Sequence, residues 1–434
     1  MTLSFTKHTL ANGLDVLLHE DHACPIVAVN IWYHVGSKNE LPGHTGFAHL
    51  FEHLMFEGSE HHDHGYFQPL QGAGGTLNGS TNADRTNYWE VVPANALELA
   101  LWMESDRMGF LLPALTEAKF SNQRDVVLNE RRQNYENRPY GLASMAMLAA
   151  LFPPDHPYHW TTIGEVADLE ATRLDEVHAF FRRYYHPANA SIALAGDLDP
   201  AEALALVDQY FGEIPPGERV TPVRATASLA RDVRLVFEDR VELPRLYVGW
   251  LTPAMFAAGD ADLDLANDLL ANGKTSRLYR RLVFEQRIAT DVSAAQNSRE
   301  MAGYTQIVAT AAPGHHLDEI EAAILEEVRH LVDAGPTADE MDRGRVQAES
   351  QFMFRLQTVG GFGGKSDQLN AYNMFVGDPS YFDRDLERYR AVTPDSMQAA
   401  VARYFTPGGR VTLSIVPRGR PDLAAAGSEP IAVS

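Results

Sequence analysis

Residues 14–20 alternate apolar and polar side chains, and residues 25–35 run through β-branched and aromatic positions, so both stretches predict strands. Between residues 45 and 55 the period changes. Phe47, Leu50, Phe51 and Leu54 recur at three- and four-residue spacing, which predicts an amphipathic helix with Gly58 beyond its end. Residues 72–78 predict a turn-rich segment and residues 86–92 a strand. Two long helical patterns follow, over residues 94–110 and 116–132, the second with Thr116 as its N-cap.

The same grammar returns later in the chain. Asp175, Arg183, Tyr184, Tyr185 and Pro187 precede an apolar run at 191–195; Asp395, Arg403, Tyr404, Phe405 and Pro407 precede another at 411–415. The offset is 220 residues throughout. Pro25 and Pro244 each open a strand pattern, and Thr116 and Thr337 each open a helix, at nearly the same offset. A period of this length excludes a solenoid. It predicts an α+β chain of two homologous domains from an internal duplication: residues 1–216, a linker at 217–232, and residues 233–434. Pro-Pro-Gly-Glu and Thr-Pro break all periodicity at the join.

Candidate chemistry sits on the helix predicted over 45–55, in His49-Leu-Phe-Glu52-His53. At about 100° per residue, His53 lies about 40° from His49 and Glu52 about 60° to the other side, so all three share one face. Two imidazoles one turn apart can hold one Zn²⁺ at about 2.0–2.1 Å. Glu52, not needed as a ligand, is placed to accept a proton from water. The flanking residues are apolar, where unpaired polar groups are costly. This is the inverted order of the His-Glu-x-x-His zinc-peptidase arrangement.

The stretch from Gly46 through His49, Glu52 and His53 to Gly58 resembles the zinc helix of the pitrilysin/insulinase family of metallopeptidases. That resemblance implies a glutamate as third ligand well downstream of the second histidine. Here it is Glu130, with 76 residues between it and His53. Gly74-Gly-Thr-Leu-Asn78-Gly-Ser-Thr81, followed by Thr86-Asn-Tyr-Trp89, is similar to the family's substrate-side segment. There an edge strand pairs with the peptide, and Asn78 is the residue implied to touch it. Residues 276–282 look like a second-domain helix of bacterial relatives.

The resemblance also implies a fold in which each domain is a mainly antiparallel sheet covered by helices, the chain forming half of a clamshell chamber. The internal repeat adds one zinc per chain, because a 220-residue shift sets Leu269, Asn272, Gly273 and Ser350 opposite the four site residues. Two positions depart from the family pattern. A glutamate seven residues before the third ligand is replaced by Gln123, implied to lie behind the ligands. Tyr304 looks like the family's substrate-facing tyrosine, but the arginine expected seven residues earlier is Asn297; Arg299 is near, at a different spacing. A homologous second subunit or a second copy of the chain is therefore expected as partner.

Composition narrows this further. The net charge of −22 disfavours nucleic acid and anionic membrane as partners. It is compatible with a basic peptide. Cys24 is the one cysteine, so thiolate metal clusters and intrachain disulfides are excluded. No apolar stretch predicts a membrane span; the run at 142–152 is about half the length needed. The first seven residues lack a signal-peptide core, and the expected compartment is cytoplasm or periplasm. The run His61-His-Asp-His64 reads as a solvated loop, and Gly360-Gly-Phe-Gly-Gly364, without a P-loop ending, as a flexible loop at the chamber mouth. The resulting expectation is a zinc endopeptidase with Glu52 as general base. Two other readings share the sequence features: a non-catalytic partner subunit of the same fold, and a peptide-binding module whose zinc is structural.

Overall fold

The predicted strands assemble into two six-stranded sheets in the structure, a computed structural model that describes residues 3–405 and 408–433. Pro407, the proline of the second repeat, lies outside the described residues. The first sheet comprises β1 (Thr6–Thr9), β2 (Asp15–Glu20), β3 (Ile26–Tyr33), β4 (Thr76–Thr81), β5 (Thr86–Pro93) and β6 (Ala190–Gly196), in the order β1-β2-β6-β3-β5-β4. The second comprises β7 (Val233–Asp239), β8 (Arg245–Thr252), β9 (Ala289–Asn297), β10 (Gly303–Ala311), β11 (Arg410–Pro417) and β12 (Glu429–Pro430), in the order β12-β7-β11-β8-β10-β9. Read as β2-β6-β3-β5-β4 against β7-β11-β8-β10-β9, the two orders are the same. The duplication is thus present in topology. The class is α+β: β2–β6, β7–β11 and β7–β12 are parallel, and the other neighbours are antiparallel.

The repeat-bearing elements fall where the offset places them. Helices Leu174–Tyr184 and Pro394–Tyr404 lead into β6 and β11, and helices Glu117–Arg131 and Ala338–Arg355 follow Thr116 and Thr337. Both threonines cap: Thr116 Oγ1 accepts from Lys119 N and Thr337 Oγ1 from Glu340 N, each at 3.3 Å. The turn expected over 72–78 is shorter than its composition suggests. Backbone turns end at Gly75, and Thr76 already belongs to β4, because pairing with β5 overrides the Gly and Asn content.

Two compact units result, and neither is a contiguous half. The first contains the chain up to Asn129, Thr162–Val223 and Gln351–Arg384. The second contains Glu130–Thr161, Arg224–Ser350 and the chain from Asp385 onward. Each repeat therefore gives a segment to the other unit, at positions again about 220 residues apart. The exchanged segments explain why β6 and all of β3 beyond Ile26 are buried and read as largely apolar runs. On one face of the first sheet lies helix Leu97–Ala114; on the other lies helix Lys365–Val376.

That second helix is pinned by polar groups. Asp367 Oδ1 accepts from Trp32 Nε1 (2.8 Å), Asn87 Nδ2 (3.1 Å) and Asn30 Nδ2 (3.2 Å), all on one sheet face. A buried carboxylate so surrounded by donors avoids the cost of an unpaired charge. In the second unit, helix Ala143–Leu151 packs on β8 and β11. Gly249 makes room for it, since a Cβ there would come within 2.5 Å of Met147 Cε.

Candidate metal centre

Gly46, at φ 88°, turns the chain into helix Phe47–Leu54, a conformation open to glycine at little cost. The exposed amides at the helix start are met by a carboxylate from upstream: Glu40 accepts from Gly46 N (3.0 Å) and Ala48 N (2.9 Å). Phe47, Ala48, Leu50, Phe51 and Leu54 are buried. The Phe51 ring stacks on Phe180 at 5.6 Å. Packing of that stripe leaves His49, Glu52 and His53 half-buried on the remaining face. Tyr88 on β5 holds the middle of the helix, its hydroxyl donating to Phe51 O at 3.2 Å. Burial, with a smaller contribution from the Glu52 charge, raises the Tyr88 phenol well above its usual range, so it stays a donor.

The two imidazole rings lie 4.9 Å apart, at 81° to one another. Glu130 stands on the last turn of the continuous helix Glu117–Arg131, and its carboxylate comes to both rings. One donor atom from each of His49, His53 and Glu130 lies within 4.8 Å of the others. Among the described residues no other group of three or more histidine, cysteine or acidic side chains converges in this way. Directly beyond, residues Arg132–Glu136 form a widened π turn, and Asn134 Nδ2 donates to Glu130 Oε1 at 3.3 Å.

The other residues singled out in the sequence are distributed more widely. Gln123 sits two turns before Glu130, and its amide donates to the Glu57 carboxylate just past the histidine helix. Asn78 is exposed on β4, with Oδ1 accepting from Gly79 N at 2.8 Å. β4 is the terminal strand of its sheet, and among the described residues it pairs with β5 alone. Tyr304 lies on β10 in the second unit and is buried; burial raises its phenol above the ordinary value. Asn297, seven residues earlier, is its cross-strand partner. Arg299 reaches Tyr304 in spite of the spacing, because the turn after β9 folds its guanidinium to 5.2 Å from that ring and 4.9 Å from Tyr158.

Two loops differ from their sequence reading or refine it. The glycine-rich loop at 360–364 is docked on the first sheet: Gly360 meets Ala28 and Val91, and Lys365 N and Ser366 N donate to Thr358 O and Val359 O. In the histidine-rich loop, His61 Nδ1 pairs with the Asp106 carboxylate, and no metal-type cluster forms there among the described residues.

With the site in view, comparison with known families decides the lineage. The profile of the Insulinase (Peptidase family M16) matches residues 15–155, and that of the Peptidase M16 inactive domain matches residues 172–347. The chain belongs to the insulinase (M16) peptidase family. The zinc protease PqqE of Helicobacter pylori is 28% identical to this M16 chain over 356 residues, 81% of this chain and 80% of that protein. A crystal structure of a protease from Helicobacter pylori superposes with a TM-score of 0.89 at 24% identity, covering 96% of this chain and all of that one. The periplasmic protease PqqL from Escherichia coli matches with a TM-score of 0.77 at 17% identity, over 96% of this chain but 48% of PqqL. No helix among the described residues of the M16 chain is long and apolar enough to cross a membrane.

Sequence reasoning missed the residues that set the M16 site's frame. Glu40 and Asp367 carry no motif, and Tyr88 lies in the 86–89 stretch without a role of its own assigned there. Glu40 precedes the helix it caps by a loop of irregular pattern, and Asp367 reaches the first sheet from a segment more than 330 residues away in sequence.

Proposed function

We propose that the chain is a zinc-dependent endopeptidase that hydrolyses peptides or unstructured polypeptide segments. One observation carries this reading: His49, His53 and Glu130 converge within 4.8 Å beside Glu52 on a half-buried helix face. The donor set, two imidazoles and a carboxylate, fits zinc, and three protein ligands leave the open position of a catalytic site. When bound, zinc would supply Lewis-acid polarisation of a scissile carbonyl and a lowered pKa for coordinated water.

The chain's own residues do the rest. Phe51, locked between Phe180 and the Tyr88 hydroxyl, sets the azimuth of the helix and so the direction of both imidazoles. Glu52 accepts a proton from water and delivers it to the leaving amine. The free edge of β4 offers main-chain groups to an extended substrate, with Asn78 beside its path. Gln123, through Glu57, braces the end of the histidine helix. The experiment is cleavage of a quenched peptide library before and after chelation. Activity should vanish with the metal and return with zinc; cleavage that persists in chelator would overturn the reading.

A companion is part of the proposal. PqqL is about twice the length of this chain, which supports a working assembly of two such chains. The partner is a homologous subunit, or a second copy that presents its own Tyr304 and Arg299. The second reading, a non-catalytic partner subunit, draws on the inactive-domain profile over residues 172–347. Activity that appears only on mixing with a homologous chain carrying its own ligands, and survives Glu52→Gln here, would favour it.

A further inference from the structure

We infer that the first unit carries a side-chain pocket, apart from the metal centre, which selects extended peptides by one apolar residue; the class of ligand rests on the peptidase reading. The pocket is a cavity of about 360 Å³ on the sheet face opposite helix Leu97–Ala114. Its floor is Ile26, Trp89, Val91 and Thr76, its roof the 357–361 segment with Val359, and its far wall the turn containing Cys24. This size falls in the range of ligand cavities.

Three features make it a built pocket and not a packing gap. Its roof has a fixed height, since Gly360 rests on the sheet where a Cβ would come within 2.5 Å of Val91 Cγ2 and 2.6 Å of Ala28 Cβ. One side is closed by the ion pair of Lys365 with Asp21. Trp89 lines it, and the indole Nε1 of this residue is buried without an acceptor among the described residues, a donor that a ligand carbonyl could satisfy. Phe362, half exposed at 51%, stands edge-on to the Trp89 ring at 5.5 Å.

The occupant follows from the strand that forms the lip. Thr76 is both a wall of the cavity and the first residue of the edge strand β4, cross-strand partner of Val91. Side chains alternate across a sheet, so Thr76, Asn78 and Ser80 share the face of Val91, Trp89 and Asn87. A peptide that pairs with the outer edge of β4 has its residue opposite Thr76 on that same face, directed at the cavity. Its neighbours point to the other face, where Gly79 meets Phe56. The walls are mainly apolar, so an aromatic or branched aliphatic side chain is preferred over alanine or a charged one, by about tenfold or more.

Cys24 lets the pocket be read without catalysis. It is the chain's one cysteine and is exposed at the cavity wall. The full-length Glu52→Gln protein is treated with N-ethylmaleimide in the presence of end-blocked Gly/Ser/Thr decapeptides carrying a single Phe, Leu or Ala, and Cys24 modification is followed by mass spectrometry. Phe and Leu peptides should slow modification at least about fivefold, Ala peptides should not, and Val359→Trp should erase the difference. Equal slowing by all three, or none by any, would overturn the pocket. Protection by Phe and Leu peptides alongside no cleavage by the zinc-loaded native chain would uphold the pocket and defeat the peptidase reading instead.

Discussion

The two units share a strand order but not a chemistry, and the helices that follow β3 and β8 show why. In the first unit, Phe47–Leu54 turns three ligand-type residues to a half-buried face and has its amides capped from outside by Glu40. In the second unit, helix Asp260–Ala271 keeps its acids for internal bonds. Asp260 accepts from Phe256 N, Gln296, Ser298 and Arg388, and Asp264 from the Tyr389 hydroxyl. Its start matches that of the histidine helix, with Gly259 at φ 92° where Gly46 stands at φ 88°, while a 220-residue shift from His49 falls on Leu269, 2% exposed, near the helix end at Ala271. Gly273, to which the same shift carries His53, lies beyond that end with φ 77°. Helix Asp260–Ala271 is the longer of the two, so the second unit keeps the helix and sets no histidine on it. Duplication conserved the scaffold and left the site to one copy.

That contrast can be broken at several points. The largest expected effect is from Glu52→Gln, which should lower kcat by about 10²–10⁴-fold with zinc content unchanged. Full activity in that variant would remove Glu52 from the chemistry. Next, His53→Ala or Glu130→Ala should reduce zinc from one per chain to a fraction, by metal analysis; unchanged stoichiometry in Glu130→Ala would take it out of the site. The converse graft, Leu269→His with Gly273→His and Ser350→Glu, should leave the count at one, because residue 273 lies beyond the helix end at Ala271 and so not one helical turn from residue 269; two zinc ions per chain would erase the distinction between the units.

A smaller effect separates the units by pH. Burial lifts Asp264 to about 7, the Tyr389 hydroxyl opposing it only in part. An acid raised on folding favours the native state while protonated. Its contribution is complete below the ordinary value of 3.8 and is lost as pH climbs through 7. Thermal stability of the second unit should therefore fall between about pH 4 and 7, and Asp264→Asn should flatten that slope. An unchanged slope would show that Asp264 is not the group responsible. The smallest effect tests the symmetry itself: Thr116→Ala and Thr337→Ala should each cost about 1 kcal/mol in chemical denaturation, since both cap in the same geometry. A large inequality would mean that the two helices are not equivalent.

Much of this was legible in the sequence, for local reasons. Helical spacing at Phe47, Leu50, Phe51 and Leu54 marked the histidine helix, and His49 and His53 one turn apart marked the two imidazoles that Glu130 joins. The 220-residue offset of Asp175 and Asp395, or Thr116 and Thr337, marked the duplication. What the sequence did not carry was long-range closure. Nothing near Asp367 shows that it binds Asn30, Trp32 and Asn87, and nothing near Arg299 shows that a turn brings it to Tyr304. Thr76 to Asn78 read as turn because glycine and asparagine dominate locally, whereas β5 recruits them into an edge strand. Glu130, one acid among 58, was placed by resemblance and is set in space by its helix.

The exchanged segments bear on how such a chain could arise. Each sheet has one face covered by a stretch encoded in the other repeat, Gln351–Arg384 for the first unit and Glu130–Thr161 for the second. A single-repeat ancestor with this architecture could bury both faces only by trading that stretch with another copy, which makes it an obligate dimer whose folding depends on concentration. In this chain residues 217–232 join the two repeats, so the trade is intramolecular, at an effective concentration set by the tether. A chain that carries both repeats folds with histidines on one of them alone, since the exchange of segments needs the scaffold and not the ligands.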